Sequence, residues 1–232
     1  YRITDLIAEG GMGLVYWGKH KRLGHLVAIK VLQDRFLASQ KACVRFEQEA
    51  RIMAHLKHPH IVRVFDLLHH SGVFGIVMEF VDGPSLEEVM LRIRSRPWTS
   101  GEVMDLLKPI VAATSYAHKL GVIHRDLKPE NILFERAKEE HGLGAPKIPD
   151  FGIAKVLSLG AKLTSPGARL GSLPYMSPEQ FKCAMTADAR SDVYSLAMIA
   201  WCLLRGALPF DPRDQRKILD YYTQNAPLAP VE

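Results

Sequence analysis

His124-Arg125-Asp126-Leu127-Lys128-Pro129-Glu130-Asn131-Ile132-Leu133 is the most informative stretch of the chain, and Asp150-Phe151-Gly152 follows nineteen residues after Asn131. Within this short compass stand a carboxylate, a cation two positions on, and two further side chains with hard oxygens, Asn131 and Asp150. Oxygens of that kind suit a hard divalent cation, and a carboxylate beside a lysine suits proton transfer near a negatively charged group.

Outward from this stretch the bulk properties set limits. The chain has 232 residues with 47% hydrophobic content, enough for a large core in one bilobal domain or two small ones, which excludes disorder. Thirty basic against 25 acidic residues give a formal +5, suited to an anionic ligand such as a nucleotide and too modest to require nucleic acid. Cys43, Cys183 and Cys202 are widely spaced and odd in number, so neither a disulfide framework nor a CxxC metal site is expected. A reducing, cytoplasmic setting fits them. His55, His58 and His60 lack the accompanying carboxylates or thiolates of a zinc site.

No apolar run reaches 18 residues; the longest, Val193 to Leu204, is interrupted by Tyr194 and Ser195 and reads as a buried helix. No charged segment precedes an apolar run at Tyr1, so no secretion signal is expected here, and the chain is expected to be excised from something longer.

Tyr1 to Phe80 carries short apolar runs with turn punctuation: Tyr1–Ala8, Leu14–Gly18, Leu26–Leu32, Ile61–Leu68 and Val73–Phe80. These predict strands. Lys41 to Leu56 has helical spacing and is stopped by His58-Pro59. After Asp82-Gly83-Pro84 the pattern turns helical: Ser85–Arg94, Thr99–Leu120 closed by Gly121, and Asp192–Leu204 closed by Gly206. The boundary predicts an α+β, bilobal fold, a sheet-rich lobe at 1–82 and a larger helical lobe at 83–232, with a ligand cleft where they meet. Glu135 to Ala145 reads as an exposed connection between two short strands, and Val156 to Leu170 as a mobile segment.

Further motifs stand in fixed order: Ala8-Glu9-Gly10-Gly11-Met12-Gly13-Leu14-Val15 between two strand patterns, Val27-Ala28-Ile29-Lys30 ending a strand, Glu49 on the following helix, and Gly171 to Glu179 reading GSLPYMSPE. Together with the catalytic-loop stretch and Asp150, they resemble the protein kinase catalytic domain, and within it the bacterial Hanks-type serine/threonine kinases. The resemblance covers essentially residues 1–230 and implies the bilobal kinase fold, a small antiparallel sheet with one main helix above a mostly helical lobe.

The resemblance also implies roles. Asp126 would be the base or orienter of the attacking hydroxyl, Lys128 the cation at the γ-phosphate, Asn131 and Asp150 the ligands of Mg²⁺, with Mn²⁺ as a substitute. Lys30 would contact the α and β phosphates and be held there by Glu49. Glu47 is the rival partner, but Glu49 lies nine residues before His58-Pro59, as the family register requires, and Glu47 faces elsewhere. Gly10, Gly11 and Gly13 would bring backbone amides to the phosphates. Ala8 stands where the family has its first glycine, which restricts φ there.

Adenine would lie against Val15, Ala28 and Leu133, with Met78 behind it and the main chain of Glu79 and Val81 bonding its edge. His124 and Phe151 would pack internally, forming with Met53 and Val64 an apolar column linking the lobes. Asp192 corresponds to a buried aspartate that bonds the catalytic-loop backbone. Pro149 removes an amide donor before Asp150 and is expected to limit flipping of Asp150-Phe151-Gly152.

Lys-Pro-Glu-Asn after the aspartate implies serine/threonine specificity. Ser172 replaces the usual threonine of the segment end and Ser177 the usual alanine. Phosphate on Thr164 or Ser165 would pair with Arg125. The implied partners are ATP, protein substrates bearing serine or threonine, and a second copy for trans-autophosphorylation, with neither nucleic acid nor membrane contact from this segment. The implied location is cytoplasmic, including that of a cytosolic domain in a membrane-anchored receptor-like kinase. A pseudokinase scaffold is the alternative, favoured only by Ala8 and Pro149. A small-molecule phosphotransferase would have no need of Tyr175 to Glu179. The family continues with closing helices that supply an arginine to Glu179, so this chain is expected to be a destabilised truncation, at about 3–5 kcal/mol for an abandoned buried ion-pair member.

Overall fold

The computed structural model describes residues 1–10, 13–70, 72–93, 96–137, 142–151, 170–182, 187–209, 214, 217 and 221–222. Five antiparallel strands form the first sheet in the order β1-β2-β3-β5-β4: β1 (Arg2–Glu9), β2 (Gly13–Lys19), β3 (Leu26–Leu32), β4 (Val64–His70) and β5 (Val73–Glu79). In β3 the side chains alternate. Val27 and Ile29 join Val77 in one apolar cluster, while Ala28 and Leu32 join Phe46, Ala50, Ile76 and Met78 in another. Lys30 shares the parity of Ala28 and Leu32, which turns it toward the helix.

That helix is α2 (Gln40–His55), preceded by α1 (Asp34–Leu37), a single turn the sequence pattern did not announce. Ser39 caps α2 by accepting a hydrogen bond from the Ala42 amide. Phe46, Glu49, Ala50 and Met53 are buried at i, i+3, i+4 and i+7, one face of the helix. Glu49 is therefore a charged residue placed in an apolar stripe.

The helical lobe contains α3 (Leu86–Arg92), α4 (Ser100–Lys119), α5 (Pro178–Lys182) and α6 (Ala189–Arg205), and a two-stranded sheet of β6 (Leu133–Phe134) and β7 (Pro146–Lys147). Ser85 and Thr99, which the periodicity placed inside helices, are their caps. Each forms a reciprocal capping box with the glutamate three residues on, Glu88 and Glu102. Asp192 does not start its helix: Asp188 caps α6 from outside, leaving Asp192 in the first turn. The strand expected from Ile61 begins instead at Val64, because Ile61 is diverted into a parallel bridge with Ile148.

One core joins the two lobes. Met53 of α2 lies in the same buried cluster as Leu127, Ile148, Phe151 and the inward residues of α4 and α6, with Val64 packed against it. At the crossing, a Cβ on Gly83 would stand 2.3 Å from the Phe134 carbonyl oxygen, so only glycine lets the connection pass this close to β6. No helix among the described residues is long and apolar enough to cross a membrane.

Candidate active site

The β1–β2 turn closes with the Gly10 amide donating to the Gly13 carbonyl at 2.8 Å. A Cβ on Gly13 would lie 2.9 Å from the Val31 carbonyl oxygen, which reserves that position for glycine. Ala8 needs no such freedom. It is a strand residue paired with Val15, and among the described non-glycine residues only Arg125 and Asp150 have positive φ. The feature that set this loop apart from the kinase pattern thus carries no backbone strain. Gly11 lies outside the described residues.

Lys30 and Glu49 meet as their parities require: Nζ is 2.9 Å from Glu49 Oε1 and also 3.0 Å from Asp150 Oδ2. Glu47 points away and stands 3.8 Å from Arg51. Burial works against the Lys30 cation, but Asp150 and Glu49 together hold its pKa above the usual value, so it stays charged. Burial pushes the Glu49 carboxyl up, with Lys30 opposing and the Asp150 charge adding.

The catalytic-loop stretch is fixed by its own backbone. Asp192, fully buried, accepts from the His124 amide and the Arg125 amide, each at 2.8 Å, and lies 2.7 Å from His118 Nε2. His124 is equally buried; its Nδ1 accepts from the Asp126 amide at 3.2 Å and its Nε2 donates to the Pro149 carbonyl at 3.0 Å. Those partners define a neutral imidazole, and burial lowers its pKa despite Asp192, Asp126 and Asp150 nearby. Phe151 stands edge-on to the same ring with centroids 4.9 Å apart. The His124–Pro149 bond ties Asp126 to the segment that carries Asp150.

Asn131 Nδ2 donates to the Asp126 carbonyl at 2.8 Å and to its Oδ2 at 3.2 Å, leaving the Asn131 carbonyl oxygen for another partner. Asp150 Oδ1 is buried and has no hydrogen-bond partner among the described residues. An orphaned carboxylate oxygen and an amide oxygen fit a hard divalent cation that takes its remaining ligands from phosphate and water. Lys128 Nζ lies 3.6 Å from Glu130.

At the crossing between lobes, Ala28 and Met78 are buried, and Val15, Val81 and Leu133 half-buried. The Glu79 amide donates to the Arg63 carbonyl at 2.8 Å, so that main-chain donor is already engaged. The Glu79 side chain is also engaged, 2.7 Å from Lys147 Nζ and accepting from the Arg63 amide at 3.1 Å. Sequence reasoning passed over Lys147, because an isolated lysine beside a short strand gives no signal of a partner 68 positions away.

Glu179 accepts from Ser191 Oγ at 2.7 Å. Burial raises its pKa, but hydrogen bonding, that of the Ser191 hydroxyl first, outweighs the burial and leaves the carboxyl below its ordinary range. The glutamate expected to be stranded thus has a hydroxyl donor. Thr164 and Ser165 lie outside the described residues, and of Ser172 only its place in the 3₁₀ turn Leu170–Tyr175 is described. Arg125 Nε is buried with no hydrogen-bond partner among the described residues.

Two lobes with a lysine–glutamate pair above and a backbone-fixed aspartate below define the protein kinase class. The model of the protein kinase domain matches residues 1–228, and the chain belongs to that family. It is 42% identical over 212 residues to the probable serine/threonine-protein kinase PknB of Lactococcus lactis, covering 91% of this chain and 32% of that protein. It is 36% identical over 211 residues to the serine/threonine-protein kinase PrkC of Bacillus subtilis, covering 91% and 31%. The chain thus spans about a third of the length of these curated relatives. A mutant form of the Mycobacterium tuberculosis PknI kinase domain superposes with a TM-score of 0.67 at 29% identity, over 92% of this chain and 76% of that one.

Proposed function

We propose that this chain transfers the γ-phosphoryl group of ATP to serine and threonine hydroxyls of protein substrates. The observation that carries the reading is Lys30 bridging Glu49 and Asp150 above an Asp126 tied to Asn131. In this reading Lys30, oriented by Glu49, binds the α and β phosphates, and Lys128 meets the γ-phosphate. Gly10, Gly11 and Gly13 line the phosphates, Ala28, Val15 and Leu133 sandwich adenine before Met78, and the Glu79 carbonyl and Val81 backbone bond its edge.

Asp126 holds the substrate hydroxyl and receives its proton, with Asn131 restraining the carboxylate. Asn131 and Asp150 would hold Mg²⁺, or Mn²⁺ in its place, which would supply positive charge against the phosphates. The lobe boundary is taken at Asp82-Gly83. Phosphate on Thr164 or Ser165 would reach Arg125, whose Nε has a hydrogen to give; Ser172 is a further proposed regulatory position. A second copy of the chain is the proposed catalyst that transfers that phosphoryl group from its bound ATP, and the cytoplasm, free or beneath a membrane anchor, the proposed location.

Relatives named serine/threonine-protein kinases support the substrate class. The test is phosphoamino-acid analysis of a mixed protein substrate after incubation with ATP and Mg²⁺. Phosphoserine and phosphothreonine are expected; phosphotyrosine alone would reject the substrate class.

A further inference from the structure

The peptide joining Arg125 to Asp126 is held at both ends. Its N–H, that of Asp126, donates to His124 Nδ1, and its carbonyl accepts from Gln180 Nε2 at 3.0 Å. Arg125 itself has φ of 64°, a left-handed conformation that costs a non-glycine residue and persists only where neighbours fix it. Its amide is fixed by Asp192, and its carbonyl by Gln180.

Gln180 is 3% exposed, and both ends of its side-chain amide are hydrogen-bonded. Its Oε1 accepts from the Ser177 amide at 3.3 Å and the Ser177 hydroxyl at 3.1 Å, and an amide N–H can only donate, which sets the orientation of the side-chain amide. Ser177 is itself fully buried. The residue that departs from the usual alanine of this segment is therefore one half of a hydrogen-bonded unit whose other half is Gln180. Gln180 also lines the same small recess as Asp126, beside Tyr175 and Met176.

We infer that Gln180 is a positioning residue for Asp126: it anchors the left-handed Arg125 carbonyl and, through Ser177, couples the substrate-facing segment to the catalytic loop. This rests on the phosphotransfer reading above. The side chain is turned to Ser177 and the Arg125 carbonyl, so it would act on Asp126 through the backbone. Its loss would lower the rate of transfer without weakening ATP.

Gln180→Glu separates positioning from packing. The carboxylate keeps the volume and still accepts from Ser177, but when ionised it has no hydrogen for the Arg125 carbonyl. At mildly alkaline pH its kcat is expected to fall about tenfold, the loss of one well-placed hydrogen bond in a buried site, with KM for ATP within about twofold of wild type. As pH falls and the carboxyl protonates, the ratio of variant to wild-type kcat at each pH should climb toward one. Gln180→Met, which fills the space without hydrogen bonds, should lose kcat with no such recovery.

A wild-type kcat in either variant would overturn the inference, as would losses in both that ignore pH and track a lowered melting temperature. A wild-type chain that transfers no phosphate would instead sink the phosphotransfer reading, and the positioning role with it.

Discussion

Lys30 Nζ and Asp150 Oδ2 stand 3.0 Å apart, so a side chain from the central strand of the sheet reaches the segment that follows β7 in the helical lobe. The same ammonium is 2.9 Å from Glu49, which makes it the electrostatic rivet between lobes. Removing the Glu49 charge leaves Lys30 to Asp150 alone and frees it from the position that phosphates require. Glu49→Gln is therefore expected to lower kcat/KM for ATP on the order of 10²-fold, most of it in KM. Steady-state kinetics with varied ATP checks this; a change under about twofold would contradict it.

Pro149 precedes Asp150 and its carbonyl accepts from His124, while Asp150 adopts φ of 45°. Proline limits the backbone before a strained residue, which favours the observed direction of the Asp150 carboxylate. Pro149→Leu should weaken Mg²⁺–ATP binding severalfold by calorimetry while leaving transfer measurable. Unchanged affinity and unchanged activity would remove that role.

Asp192 satisfies two buried amides from the catalytic loop. Asp192→Ala strands both, at about 1–3 kcal/mol each. A clear fall in the denaturant midpoint, with the activity loss exceeding the loss of folded protein, is the expected outcome. A midpoint equal to wild type would show that the loop has other supports.

His124 is buried and neutral, and burial depresses its pKa below that of an ordinary imidazole. A depressed folded-state pKa supplies stability that is present above the unfolded value and lost as pH falls through the folded one. Acidification should therefore destabilise the chain from below about pH 6.5, and imidazole resonances should show His124 titrating below the exposed histidines. An ordinary His124 titration would refute the assignment of its hydrogen bonds.

Much of this was legible in the residues. The Lys30–Glu49 pair was legible through the resemblance of the two motifs to the kinase pattern, and the fold brings their side chains to 2.9 Å. Gly83 was legible as part of the boundary between lobes, though its close approach to the Phe134 carbonyl was not. Other features had no local signal. The Glu79–Lys147 pair and the Gln180–Arg125 bond join positions far apart in sequence, and side-chain hydrogen bonds of that kind leave no periodic trace. Ser191 could not be foreseen as the donor to Glu179, because the expectation looked for an arginine and charge outweighs a hydroxyl in any reading from composition. Ala8 gave no local signal of its place: only the backbone shows it in β1, paired with Val15 beside a register shift.

Single-turnover transfer from labelled ATP to a generic basic protein, comparing the wild-type chain with Asp126→Asn, tests the central claim most directly. The account predicts labelled protein with the wild-type chain and a rate about 10²- to 10⁴-fold lower with the variant, at unchanged ATP affinity. Equal rates in the two proteins, or no transfer by the wild-type chain, would contradict it.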